Sequence, residues 1–219
     1  MKYFDYSTRL VSMTEPLIDD VNTSEELVAF CARVSNPTNQ TNNETAGKLL
    51  SYCKKNSHWS IFEMVDATIE IKCTRDIGRQ ILRHRSFSFQ EFSQRYAEAQ
   101  DFTWREPRLQ DTKNRQNSLE GVDKDTRDNW QLIQTNALVQ AKKDYQWALN
   151  MGIAKEVARS ILPEGLTMST MYMKGSLRSW IHYCDLRMGN GTQKEHRLIA
   201  ENCWQLLSEK FPTVFLEGN

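Results

Sequence analysis

An excess of charge of either sign is missing from this chain. Lysine plus arginine equals aspartate plus glutamate at 28 each, so any cationic patch must be local and offset elsewhere, which counts against a protein whose main work is coating nucleic acid. A glycine-rich phosphate loop is missing too. Nine glycines are scattered over 219 residues, without GxGxxG or GxxxxGK[ST], so a dinucleotide, if one binds, must be held by side chains. Five cysteines lie far apart, odd in number and with no CxxC. Neither a disulfide framework nor a zinc knot is expected, no metal is expected, and a reducing cytoplasm is the simpler setting. No segment approaches a membrane span, and the N-terminal MKYFDYSTRL lacks the apolar core of a signal peptide.

What is present fits one globular unit spanning 1–219, with 39% hydrophobic and 26% charged residues. Thr23 with Glu26 three residues later forms a capping box ahead of Leu27, Phe30, Cys31 and Val34 at helical spacing. Ala46, Leu49, Leu50 and Cys53 mark a second helix ending near Lys55. VDATIEIKC (65–73) alternates apolar with polar and is the clearest strand. Thr74 can cap a helix to about His84 that places Gln80, Arg83 and His84 on a face apart from Ile77 and Ile81.

The polar stretch 97–125 reads as a long surface excursion. Trp130, Ile133, Ala137, Ala141, Tyr145 and Ala148 mark a long helix with Gly152 past its end. A short helix from about Ala154 stops before Pro163, and LTMSTMYM (166–173) can extend as a strand. Leu177, Trp180, Ile181, Cys184 and Met188 stripe a helix that leaves Arg178 and His182 on another face. Thr192 with Glu195 suggests a second capping box for a last long helix, closed by Pro212. Helices dominate without a βα rhythm, so the class expected is α+β.

The segment RHRSFSFQEFSQRY (83–96) suits neither an ordinary core nor an ordinary solvated face. It sets four arginine or histidine side chains among three phenylalanines, a tyrosine and three serines. Guanidinium forks match phosphates and carboxylates, and aromatic faces accept flat rings. The pattern describes a pocket for an anionic ligand with a flat ring, such as a nucleotide or flavin. The plainer alternative is surface arginines paired with Glu91 and Asp101 over core phenylalanines. A nucleic-acid module using Arg75, Arg79, Arg83, Arg85, Arg95, Arg105 and Arg108 is a third. His84 alone could be a base, a ligand or a hydrogen-bonded polar group. Ser93 lacks a recognisable triad, and beside Arg95 it suits phosphate better than nucleophilic attack.

RHR, seven residues, then Ser93 resembles the signature of the flavin-dependent thymidylate synthases. HWSIFE (58–63), ARSILP (158–163) and SLRSWIHYCDLR (176–187) resemble three further elements of that family in the same order. The resemblance implies a thymidylate synthase (a methyltransferase) that makes dTMP from dUMP, with a non-catalytic flavoprotein of the same fold as the alternative. The one-carbon unit comes from 5,10-methylenetetrahydrofolate and hydride from NADPH-reduced FAD, with tetrahydrofolate released. It also implies a single α+β domain, helix-rich with a mainly antiparallel sheet, in a homotetramer whose active sites form between subunits, with no nucleic-acid or membrane partner.

Carried over by position, the dUMP contacts are Gln80, Arg83, Glu91, Phe92, Ser93, Gln94, Arg95, Arg159 and Arg187. The FAD contacts are His58, Ser60, Glu63, Arg83, His84, Arg85, Gln90, Glu91, Ser176, Leu177, Arg178 and His182. Arg187 is the catalytic candidate, a cation that would favour the N3-deprotonated, electron-rich pyrimidine. Gln90 replaces a frequent Asn, Met64 a frequent His, and His182 stands where some members have Asn.

Overall fold

The computed structural model describes residues 3–216. Its organising feature is strand β2 (Asp66–Thr74), whose alternation does what the sequence pattern requires. Val65, Ala67, Ile69, Ile71 and Cys73 are all buried. β2 is central in an antiparallel sheet of order β1-β2-β6-β3, with β1 at Ser7–Met13, β3 at Ser88–Glu91 and β6 at Met168–Ser176. The expected strand at 166–173 is therefore present. Its other face is wet: Arg9 pairs with Glu70, Lys174 with Asp66 and Lys72 with Asp101.

Helices cover the apolar face. The N-cap Ser176 starts α6 (Leu177–Met188), and Leu177, Trp180, Ile181 and Cys184 are buried against the sheet, with Trp180 Nε1 donating to Ala67 O at 3.0 Å. α7 (Lys194–Ser208) adds Ile199, Ala200, Cys203 and Leu207 to the same core. α1 (Ser24–Ala32) has the capping box expected at Thr23 and Glu26, and α2 (Ala46–Lys55) runs as read. Val34 falls outside α1 and is exposed.

Several boundaries differ from the sequence reading. α3 (Arg75–Ile81) ends before Arg83, and Thr74 makes no side-chain cap because its Oγ1 accepts from Arg105 at 2.8 Å. α4 (Lys124–Asn150) begins earlier than Trp130, its first turn capped by Asp123 accepting from Thr126 N. Gly152 beyond it has φ of +77°, the left-handed geometry that favours glycine. Ile133 and Ala137 face solvent, and Gln134 and Leu138 take the buried side.

The capping box at Thr192 does not form. Glu195 is held by arginines instead, Gln193 occupies the cap position, and Pro212 opens a further short helix, α8 (Pro212–Phe215). Nor is 97–125 only surface. It carries a two-stranded ribbon, β4 (Leu109–Gln110) with β5 (Ser118–Leu119), and inserts Arg105 and Arg108 into the interior. The short helix α5 (Lys155–Ala158) and the 3-10 turn Arg159–Ile161 end before Pro163, as expected.

Candidate active site

The Arg-His-Arg turn joins α3 to β3, and Phe87 pins it. This ring is buried, with centroids 4.9 Å from Trp180 and 5.9 Å from Tyr183. It lies so close to Gly175 that a Cβ there would approach it to 2.4 Å. Ser179 Oγ donates to Ser86 O at 3.2 Å, a second anchor. The turn is thus held from within while Arg83 and Arg85 stay exposed, their side chains without hydrogen bond or ion pair to the described residues.

His84 turns inward. It packs edge-on to Tyr183 at 4.9 Å, and its Nε2 accepts from Arg187 Nε at 2.9 Å. Burial, with the Arg187 and Arg83 charges adding to it, lowers its pKa to about 4. His84 is therefore neutral, with its proton on Nδ1. Of the alternatives open in the sequence, the geometry supports a hydrogen-bonded polar group that orients Arg187. The remaining donors of Arg187 stay available to a ligand.

A cleft of about 280 Å³ is lined by Arg75, Arg79, Gln94, Arg159, Glu156 and Glu164, among others. Glu164 accepts from Arg79 Nε at 2.9 and 2.7 Å, and that bond holds its carboxyl below the ordinary range. Gln94 is buried and its Nε2 has no partner among the described residues, a donor that needs an acceptor oxygen. Three guanidinium groups and this amide suit an anion.

Of the expected nucleotide residues, Gln94 and Arg159 line this cleft. Arg95 adjoins it through Glu156 at 3.1 Å, and Glu91 through Arg75 at 3.4 Å. Phe92 lines a separate depression with Lys72 and Asp101, and Ser93 is exposed. Gln80, Arg83 and Arg187 lie outside the cleft lining. Arg75 and Arg79 were not among the residues expected to hold nucleotide, although their i, i+4 spacing puts both on one face of α3.

A third cluster joins the turn Trp59–Glu63 to α6. Glu63 and Arg178 form an ion pair, and Trp59 meets His182 edge-on at 4.5 Å. His58 stacks edge-on against Tyr52, and Ser60 is exposed nearby in sequence. Ser176 accepts from Ser179 N at 3.3 Å as the α6 cap. With Leu177 and Ser179 amides both spoken for at this end of the twelve-residue helix, the Arg178 guanidinium is the group there that suits a phosphate-bearing cofactor.

Leu177 contributes no exposed side chain: it is core, and its amide donates to Val65 O at 2.8 Å. Gln90 pairs across from Tyr172 and is exposed, whereas Glu91, next in the strand, points to the opposite face. In one subunit these two flavin candidates face different sides. Nothing in the sequence pattern points to His196 as a buried neighbour of Gln80, or to Arg105 and Arg108 as partners of Glu195, because the pattern of a charged or polar stretch does not report a distant partner.

A fold with one wet sheet face, an arginine-lined cleft and an Arg-His-Arg turn whose two arginine side chains are unpaired among the described residues suits the class of proteins that bind anionic, ring-bearing ligands. Residues 16–213 match the family model described as thymidylate synthase complementing protein, and the chain belongs to that family. It is 50% identical over 209 residues to a probable flavin-dependent thymidylate synthase of Paramecium bursaria Chlorella virus 1, covering 95% of this chain and 96% of the relative. It is 51% identical over 209 residues to the flavin-dependent thymidylate synthase of Synechocystis sp., covering 94% and 96%. The fold is similar to a crystal structure of PolB, a UMP/dUMP methylase from Streptomyces cacaoi bound with 5-Br dUMP. There the TM-score is 0.83 at 26% identity, over 96% of this chain and 93% of that one.

Proposed function

We infer that the protein is a flavin-dependent thymidylate synthase. It converts dUMP, 5,10-methylenetetrahydrofolate and NADPH with a proton into dTMP, tetrahydrofolate and NADP⁺. The observation that carries this reading is the Arg83-His84-Arg85 turn. Two of its cations are free for a ligand, and its neutral histidine holds Arg187 at 2.9 Å.

The residues fit both ligands. Arg178, Arg83 and Arg85 offer donors to FAD phosphates, and Trp59 with His182 offers aromatic surface beside them. FAD held there would supply the hydride and mediate delivery of the one-carbon unit. Arg159, Gln94 and Arg95, with Arg75 and Arg79, receive the nucleotide phosphate. Ser93 binds phosphate as well, and no base is hydrogen-bonded to its hydroxyl among the described residues.

Arg187 places a cation beside the pyrimidine. It favours the N3-deprotonated ring and so makes C5 a better carbon nucleophile. His84 cannot compete for that charge, because it is neutral and only accepts from Arg187 at Nε2. A preorganised contact of this kind is worth on the order of 3 kcal/mol in a site that excludes water.

The chain acts as one unit over 1–219 and as a homotetramer in the cytoplasm. The opposed directions of Gln90 and Glu91, and the separation of Arg187 from the Arg159 cleft, support sites completed by a second copy. Exposed Leu132, Ile133, Val139 and Trp147 on α4 support an interface there. Four of five cysteines are buried and all are free, in keeping with a reducing compartment. Among the described residues no helix is long and apolar enough to cross a membrane.

The test is colour and turnover. Protein saturated with FAD should be yellow, bleach anaerobically with NADPH, and form dTMP from dUMP only when methylenetetrahydrofolate is present. Failure to bind FAD overturns the reading.

A further inference from the structure

Behind the Arg-His-Arg turn lies a buried polar chain that begins at Glu195 in the first turn of α7, 2% exposed. Arg108 grips this carboxylate with both terminal nitrogens, at 2.7 and 2.9 Å, and Arg105 Nη1 lies 3.2 Å away. Burial pushes the Glu195 carboxyl up, but the Arg108 bond and the charges of Arg105 and Arg108 outweigh it and hold the pKa below the ordinary value. An ionised carboxylate can only accept.

That fact fixes every bond after it. Gln193 Nε2 must donate to Glu195 Oε2, at 2.9 Å, so Gln193 turns its oxygen the other way. That oxygen accepts from Gln80 Nε2 at 2.8 Å, which turns the Gln80 oxygen towards His196 Nδ1, 3.3 Å away. An amide oxygen can only accept, so His196 carries its proton on Nδ1 and leaves Nε2 bare. His196 is fully buried, and its Nε2 has no partner among the described residues.

We propose that Arg108, Glu195, Gln193 and His196 are positioning residues, a directional relay that sets which way round the Gln80 amide faces the nucleotide. The proposal rests on the reading of Gln80 as a dUMP contact. A glutamine amide is nearly symmetric in shape but not in chemistry, and a flip exchanges donor for acceptor. With the relay in place, the second Nε2 hydrogen lies on the Gln193 side and the second Oε1 lone pair on the His196 side. A ligand meets them in one order only, without first ordering the side chain. The stretch 97–125 then has a role in the reaction, since it delivers Arg108 to Glu195.

The experiment titrates dUMP into the FAD-loaded enzyme and follows flavin absorbance for Gln80→Ala, His196→Phe, His196→Asn and the double variant Gln80→Ala with His196→Phe. His196→Phe should weaken dUMP roughly three- to tenfold, the effect of misdirecting one neutral hydrogen bond. His196→Asn, which keeps a donor near the Nδ1 position, should restore most of it. The double variant should bind no more weakly than Gln80→Ala alone, since the relay acts only through Gln80. FAD affinity should be unchanged throughout.

Additive losses, or no rescue by Asn, overturn the relay while the Gln80 reading stands. Normal dUMP binding by Gln80→Ala overturns that reading and the relay with it. Nitrogen-15 NMR of histidine-labelled wild-type protein gives an answer even if His196→Phe fails to fold. His196 should show the Nδ1–H tautomer, and an Nε2–H tautomer overturns the proposal.

Discussion

Two sets of arginines in this protein share a residue type and differ in everything else. Arg105 and Arg108 have side chains 14% and 10% exposed. Their donors reach Glu195, Asp76, Thr74 and the carbonyl of Gly165, and Arg105 also lies 5.0 Å from the Phe4 ring centroid. Arg83 and Arg85 are exposed, their side chains with no hydrogen bond or ion pair among the described residues, and Arg159 gives one Nε bond to Glu156 O at 3.3 Å. A guanidinium has five donors. Where the fold uses them the arginine is structural, and where they are left over it awaits an anion. Arg187 stands between the sets, half-buried with one donor given to His84. The same distinction counts against a continuous basic face built from all seven arginines between Arg75 and Arg108, because Arg105 and Arg108 point inward.

The comparison breaks most visibly at Glu195. Glu195→Ala strips Arg108 of its close carboxylate and leaves Arg105 with Asp76 alone, and should cost about 3–5 kcal/mol by chemical denaturation; a loss below about 1 kcal/mol would place Arg105 and Arg108 with the solvated set. Second in size is the response to acid. Half-buried His84 and buried His196 are both neutral, with His84 lowered to about 4 and His196 to about 3, chiefly by burial. The unfolded chain takes up these protons near pH 6.5, so it binds more protons than the native state below that pH. The stability contributed by keeping these rings neutral is fully present above about 6.5 and is lost as pH falls through 4 and 3. Thermal melts across this range should show the slope, and His84→Asn should flatten part of it.

Smaller effects separate ligand-facing arginines from one another. Arg187→Lys keeps the charge but not the planar fork, and should lower single-turnover dTMP formation roughly a hundredfold with FAD binding intact. A variant with normal turnover would remove Arg187 from the chemistry. Smallest is Arg159→Ala, which should weaken dUMP about ten- to a hundredfold, the loss of one charged hydrogen bond, while the melting temperature barely moves. A large drop in stability there would mean that Arg159 belongs with the structural arginines.

Much of this was legible before the structure. The alternation of 65–73, the Thr23–Glu26 capping box and the α6 stripe each depend on neighbours within a few residues, and each formed as read. β1 escaped notice because its pattern is mostly exposed and broken by a bulge between Leu10 and Ser12. β3 was hidden within a motif read only for ligand chemistry. The capping box at Thr192 and Glu195 failed for an instructive reason: Arg108, 87 residues away, holds the carboxylate that the box needed.

The sequence by itself determined the class of the fold, the order of its main elements and the family, because periodicity, caps and the RHR-to-Ser93 spacing are written locally along the chain. Only the tertiary structure decided which arginines are used up and which are free, which way the Gln80 amide points, and that Gln90 and Glu91 face apart. Those outcomes depend on hydrogen-bond partners brought together across the chain, and a donor's partner is a property of space rather than of spacing.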